Sequence, residues 1–311
     1  GRWKLSGFDN TPTLESGALY ATVLRDMAKF DDAEAVAKKC LDTHIKWHGK
    51  DDASALAGAQ LLATIIDPNS NNSKQAVILG KRAVNGFTKL GGDSDLRTLK
   101  AKFDLAGVYA ARERYAEAEP LSQEALDGFE AALGPTHKTT LHSVAQLSEV
   151  KRCCDKIEEA EPMGRRAVEG LEKAVGKNHP WTLSAVHNLG TLLVEQSRLG
   201  EAEPLLRWAA SGRERALGSK HPDTVASYGM LGADIQAQGR NAHEVLAGLG
   251  TMGKAVASSA ADTAPTQLKK TGTRNSRSRM GTRDSNSSDM LKSWRFDSMD
   301  GHDYTYTKDQ G

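Results

Sequence analysis

Three histidines recur at a fixed interval of 42 residues, His137, His179 and His221, each three residues after a glycine and three before a threonine. Imidazoles bind metals and move protons, so a regular histidine series invites a catalytic or metallic reading. Distance excludes it. If each interval spans two helix layers packed at 8–10 Å, equivalent histidines lie roughly 16–20 Å apart and no single ion bridges them. They read instead as loop residues at the start of a helix. The thiols are Cys40, Cys153 and Cys154, an odd number without CxxC spacing, which fits a reducing cytosol better than a disulfide framework. Cys153 and Cys154 are adjacent and so face different sides of a helix; one is expected buried and the other exposed. The paired carboxylates of Glu117-Ala118-Glu119, Glu159-Ala160-Glu161 and Glu201-Ala202-Glu203 each precede a proline and read as favourable charge at helix N-termini. Gly-rich phosphate loops, GxSxG elbows and HExxH pairs are missing from the sequence. The expectation is a protein that is not an enzyme and takes no metal and no cofactor.

The elements that carry these residues follow from the same period. Gly134-Pro-Thr-His137-Lys-Thr-Thr140-Leu141, Gly176-Lys-Asn-His179-Pro-Trp-Thr182-Leu183 and Gly218-Ser-Lys-His221-Pro-Asp-Thr224-Val225 are three copies of one phrase. Counting back by 42 from Leu141 reaches Leu99, and from Leu56 reaches Leu14; the step from Leu56 to Leu99 is 43, placing one inserted residue in the turn-forming stretch Asp67–Ser73. Such a period means stacked helical hairpins. In the fifth copy Val186, Leu189, Gly190 and Leu193 form the buried stripe of a first helix, with Gly190 admitting close approach of its partner. The second helix opens near Leu199 with Pro204 near its first turn, buries Ala202, Leu206 and Ala209, and ends at Gly218.

Five full repeats are expected, beginning near residues 10, 52, 95, 137 and 179, with a partial sixth from His221. The array thus covers 8–250. Residues 1–7 read as the end of an earlier repeat, because Gly7 stands before Leu14 as Gly134 stands before Leu141; with no initiator Met, a piece of a longer protein is expected.

These residues carry a resemblance. Asn188-Leu189-Gly190, the recurring large-residue, Glu-Ala step and the 42-residue length resemble the tetratricopeptide repeats of the kinesin light chain family, longer by about two helical turns than the ordinary 34-residue repeat. The resemblance covers roughly residues 7–250. It implies an all-α, right-handed superhelical solenoid whose first helices line a concave groove. Residues one, four, five and eight past each anchor would then face a peptide: Lys100, Phe103, Asp104, His142, Gln146, Glu149, Ser184, His187, Asn188, Thr191 and Met230 are the groove candidates. Asn188 leads, because an Asn at this place in tetratricopeptide domains bonds the ligand backbone, and an amide both donates and accepts. Kinesin light chains generally have a basic groove, whereas this face mixes Lys100 with Asp104 and Glu149. Similar arrays also form the C-terminal halves of NB-ARC and NACHT signalling ATPases.

Composition adds limits. With 41 Lys+Arg against 40 Asp+Glu, the chain has no overall attraction for nucleic acid or anionic lipid, and no apolar run approaches the roughly 20 residues of a membrane span. After Gly250 the apolar periodicity stops, so residues 251–311 are expected to be a disordered polar tail. Its Lys269–Arg283 stretch holds six basic residues and no acid, a weak nucleic-acid signal that phosphorylation of Ser276 or Ser278 would cancel. The patch Trp294-Arg-Phe296-Asp-Ser-Met299-Asp suggests either a partner-binding segment or one that folds back into the groove as self-inhibition. The sequence reading is a cytoplasmic protein-interaction scaffold holding a protein or peptide of unknown identity, with the sensing or assembly half of a nucleotide-switch ATPase as the alternative.

Overall fold

The computed structural model describes residues 11–70 and 72–247. Residues 1–7 and 251–311, including Lys269–Arg283 and the Trp294 patch, lie outside the described residues. Every regular element within them is an α-helix. The first helices are α1 (Thr11–Asp26), α3 (Ala53–Ile65), α5 (Leu96–Ala110), α7 (Lys138–Cys153), α9 (Pro180–Glu195) and α11 (Pro222–Ala237). Each is followed by a second helix: α2 (Phe30–His48), α4 (Ser73–Gly91), α6 (Tyr115–Leu133), α8 (Ile157–Val175), α10 (Leu199–Leu217) and the short α12 (Ala242–Ala247). Each helix packs on the next in the chain, and first helices also touch the first helices of adjacent repeats, which makes the array an all-α solenoid.

The repeated phrase builds the helix ends. His137, His179 and His221 are N-caps: Nδ1 of each accepts the amide hydrogen two residues on, at 3.2 Å. Asp52 and Asp95 do the same in the second and third repeats through a carboxylate oxygen, at 2.9 and 2.8 Å. These caps satisfy amides that a helix leaves without internal partners. The second helices close at Gly49, Gly92, Gly134, Gly176 and Gly218, all with φ between +84° and +95°, a region open to glycine and costly to other residues. Between the paired helices a left-handed residue recurs at Ala28, Glu113, Asp155, Ser197 and Gly239. The second repeat replaces it with a longer turn, in which Asp67 accepts from the Asn69 amide and the Ser70 hydroxyl, both at 2.8 Å. The inserted residue is accommodated there.

Packing within a repeat depends on a second glycine series. Gly86, Gly128, Gly170 and Gly212 lie on the second helices, and a Cβ added to any of them would stand 2.3–2.4 Å from a methyl carbon of Leu56, Leu99, Leu141 or Leu183, the anchor of the same repeat. Gly190 also seats a leucine as expected, its notional Cβ 2.8 Å from Leu206. The anchors and their neighbours run into core clusters that extend across repeat boundaries.

Between repeats the Glu-Ala-Glu-Pro signature does more than place charge at a helix start. Its second glutamate clasps the residue that opens the next second helix: Glu119 accepts from Lys156 at 2.5 Å, Glu161 from Arg198 at 2.7 Å and Glu203 from Arg240 at 2.6 Å. In the first repeat Glu34 accepts from Asn72 at 3.0 Å. Three or more donors surround Glu161: although partial burial works against ionisation, bonds from Arg198, Arg165 and Gln196 hold its carboxyl down to about 2.

Two local expectations need correction. Pro120, Pro162 and Pro204 sit inside their helices, at the sixth residue rather than in the first turn, so each removes one backbone bond that an ordinary residue would make. Cys153 and Cys154 are both half-buried, because the helix ends between them and the second thiol turns back toward Glu119.

Candidate partner-binding face

The groove candidates lie on the first helices, and the structure places them deeper than an open face would. Phe103, Asp104, His142, Gln146, Glu149, His187 and Thr191 are each less than 10% exposed, whereas Lys100, Ser184, Asn188 and Met230 are half-buried. The physical reason is that consecutive first helices pack against one another. A side chain pointing away from its own second helix therefore meets the next first helix before it meets solvent. The array also curls far enough for His221 Nε2 to lie 3.0 Å from the Asp26 carbonyl, at the other end of the described solenoid.

The result is a polar ladder along the stacked first helices. Gln60 Nε2 donates to Asp104 Oδ2 at 2.6 Å, and Gln146 Nε2 donates to the Phe103 carbonyl at 3.1 Å. The His142 ring stacks on Trp181 with centroids 4.3 Å apart and touches Phe103 at 5.1 Å. Glu149 takes two bonds from Arg152, at 2.6 and 2.9 Å, and Arg152 also reaches Glu195 of the following repeat. In the next layer His187 Nδ1 lies 3.2 Å from Ser227 Oγ, which accepts from Arg213 at 2.9 Å; the same guanidinium donates to Ser184 at 3.0 Å. Thr191 turns back to the His187 carbonyl at 3.0 Å. Met230 packs on the core from the side. The structure thus joins Asp104 to Gln60 and Gln146 to Phe103, and joins Ser184 to His187 through Arg213 and Ser227.

Several polar atoms on this face are enclosed without a partner: Gln146 Oε1, His142 Nδ1 and Asn188 Oδ1. A small pocket opens between the ends of α3 and α5, with Gln146 of α7 and Arg112 among the residues that line it. It encloses about 20 Å³, room for roughly one water. Sequence reasoning missed Gln60, Trp181, Arg112, Arg152 and Arg213. Arg213 is carried by a second helix and crosses into the ladder, which no reading of first helices alone reveals. Trp181 was within reach, since it stands inside the repeated phrase.

The titratable groups here are held neutral or paired. Burial, with the nearby His179 adding to it, pushes His142 down to about 3. Burial followed by Arg213 and Arg152 puts His187 well below the ordinary histidine value. Burial raises Cys153 to about 12 despite Arg152 beside it, so this thiol is not a nucleophile near neutrality. Among the described residues there is no cluster of three or more metal-ligating side chains, and no helix long and apolar enough to cross a membrane.

Against known proteins, a tetratricopeptide repeat family model matches residues 97–173 and again 139–215, one repeat further on. Among solved structures, the nearly identical tetratricopeptide-like repeats of a Podosopora anserina kinesin light chain protein superpose with a TM-score of 0.52 at 20% identity, over 67% of this chain and 98% of that one. BtubC (BKLC) from P. vanneervenii gives 0.55 at 18% identity, over 82% of this chain and 98% of that one. A Pyrococcus horikoshii signal transduction ATPase with a tetratricopeptide repeat sensor reaches 0.48 at 18% identity, over 73% of this chain and 34% of that one. At these identities the likeness is one of fold. No curated protein sequence matches the chain.

Proposed function

We propose, from the premise that this chain is a kinesin light chain-like tetratricopeptide-repeat solenoid, that it is a non-enzymatic scaffold holding an extended segment of a partner protein along its first helices. One observation carries the reading. Gln146 Oε1 and Asn188 Oδ1, on consecutive first helices, are enclosed and unbonded, as is His142 Nδ1, one turn before Gln146 on the same helix. An enclosed polar atom without a partner costs about 1–3 kcal/mol. A peptide backbone supplies amide hydrogens at intervals along its length, so side chains that turn outward to meet it would relieve several such costs together. The mixed charge of the face, with Lys100, Asp104 and Glu149 all on the first helices, suits a peptide recognised through its amides rather than through net charge. Three free thiols fit a reducing cytoplasm as the place where this occurs.

The test is selection of peptides from a random display library on the chain, followed by fluorescence anisotropy on variants. Asn188→Ala should weaken the selected peptides about tenfold, roughly the loss of one good hydrogen bond. Glu169→Ala and Glu172→Ala, on the exposed side of α8, should leave affinity unchanged. The opposite pattern removes the groove from the reading.

A further inference from the structure

We infer that this chain's own C-terminal segment runs back along the outer side of the solenoid and binds it by charge, with the basic stretch Lys269–Arg283 on α6 and the acidic, aromatic stretch Asp289–Asp303 on α4; this holds whether or not the groove takes a peptide. First helices touch the first helices of adjacent repeats, so the second helices lie on the outside of the curl. Two of them carry charge of a single sign. α4 has four cations and no acid, and α6 has five acids and no cation. The other long second helices mix the two: four acids with three lysines on α2, five acids with three cations on α8, three of each on α10. The two single-sign helices adjoin. The Arg114 bond holds the Glu117 carboxyl of α6 below its ordinary value, and Lys81 of α4 is near enough to add to it.

Each face fits one half of the segment. On α4, Lys74, Ile78, Lys81, Arg82 and Lys89 fall within about 100° of the helix circumference. The three lysines are exposed and, among the described residues, none of the four cations is in a salt bridge; Arg82 donates to the Lys50 carbonyl. Ile78, 60% exposed, stands among them. Asp289–Asp303 holds four acids, two cations, Trp294 and Phe296, so it brings both the charge and the apolar surface this face lacks. On α6, Glu117, Glu124 and Asp127 stay exposed although Glu117 and Glu124 each meet one cation from outside the helix. Lys269–Arg283 offers six cations and no acid. Order and reach agree as well. Running back from the sixth repeat, a chain meets α6 of the third before α4 of the second, and the basic stretch comes first. Three repeats at two helix layers each are about 48–60 Å, and the 22 residues from Ala247 to Lys269 extend to about 73–79 Å, enough for the wider outer path. The six residues from Arg283 to Asp289 extend to about 20–22 Å, one repeat spacing.

The experiment is zero-length carbodiimide crosslinking of the full chain, which joins lysine amines to carboxylates in contact, with the products mapped by mass spectrometry. Lys74, Lys81 and Lys89 should couple to the aspartates of Asp289–Asp303, and Lys269 and Lys270 to Glu117, Glu124 and Asp127. Both sets should disappear at about 1 M salt, where the screening length is about 3 Å. In a mixture of 15N-labelled and unlabelled protein each product should lie within one chain; products joining labelled to unlabelled chains overturn the inference in favour of a second copy. Crosslinks of the segment spread evenly over α2, α8 and α10, or none at all, also overturn it. A second readout does not depend on which amines react. Trypsin should cleave after Lys292 and Arg295 several-fold faster in the triple variant Lys74→Glu, Lys81→Glu, Lys89→Glu than in wild type, with Lys38→Glu and Lys46→Glu on α2 leaving the rate unchanged. Equal rates in wild type and the triple variant overturn the α4 contact. The wild-type crosslink map decides the matter even if the variant misfolds.

Discussion

The glycine series on the second helices makes a sharp prediction, because it reverses an ordinary rule. Glycine inside a helix is about 0.8–1.0 kcal/mol less favourable than alanine, so Gly→Ala there normally stabilises. Gly58→Ala, in α3, should do so: its new Cβ would meet Leu41 atoms at 3.5–3.6 Å, ordinary contact. Gly170→Ala, in α8, should not. Its Cβ would lie 2.4 Å and 2.8 Å from the two methyls of Leu141 and 3.1 Å from its Cγ, and Leu141 is 3% exposed within the central core cluster. The leucine must shift into neighbours that are already packed, at a cost of about 1–3 kcal/mol. After the propensity gain, Gly170→Ala should come out about 0–2 kcal/mol less stable than wild type. Urea titration followed by circular dichroism at 222 nm, roughly the usual helix wavelength, gives the midpoints; a repeat array unfolds approximately as a sum of neighbours, so both midpoints are read against wild type in the same chain. Adding Leu141→Ala to Gly170→Ala should cost less than the two separate losses combined, as expected for groups in contact. If Gly170→Ala raises the midpoint as far as Gly58→Ala does, the knob-in-hole account of the 42-residue repeat is wrong.

The remaining predictions concern caps, protons and clasps. His179→Ala should cost about 0.5–2 kcal/mol by removing a helix cap, whereas His179→Asp should be nearly neutral in a melting experiment, since Asp52 and Asp95 already cap equivalent helices. Because His142 titrates near 3 when folded and His187 well below the ordinary 6.5, the unfolded chain binds more protons on acidification. Stability should therefore be complete above about pH 6.5 and fall as pH drops toward 3, and His142→Gln should flatten that slope. The Glu161 carboxyl, held at about 2, makes a separate contribution to stability that is fully present above its ordinary value of 4.5 and is lost as pH falls toward 2. Glu161→Gln should lower stability by about 1 kcal/mol or less at neutral pH, a difference that shrinks in high salt.

How far the sequence revealed this structure depends on distance along the chain. Features set within one turn were legible: the glycines that close the second helices, the histidines before the first helices, and the turn formers of Asp67–Ser73. The capping role of His137, His179 and His221 was within reach too, since Asp52 and Asp95 occupy the same register and aspartate is a strong cap. Contacts between repeats were not. Glu161 and Arg198 are 37 residues apart and meet only because the second helices stack in register. The depth of Phe103, His142 and His187 was hidden for a related reason. Periodicity shows which side of a helix faces its own partner, but not that neighbouring first helices close over the other side. Arg112 escaped notice because it stands at a helix end, outside the positions that repeat logic inspects.

Where a partner sits can be read directly. A peptide selected on the chain, synthesised with a photoreactive group at one end, should crosslink on irradiation to residues of α5, α7 and α9 when the products are mapped by mass spectrometry, and excess unlabelled peptide should abolish the products. Crosslinks concentrated instead on the outer faces of α6, α8 and α10 would contradict recognition by the first helices.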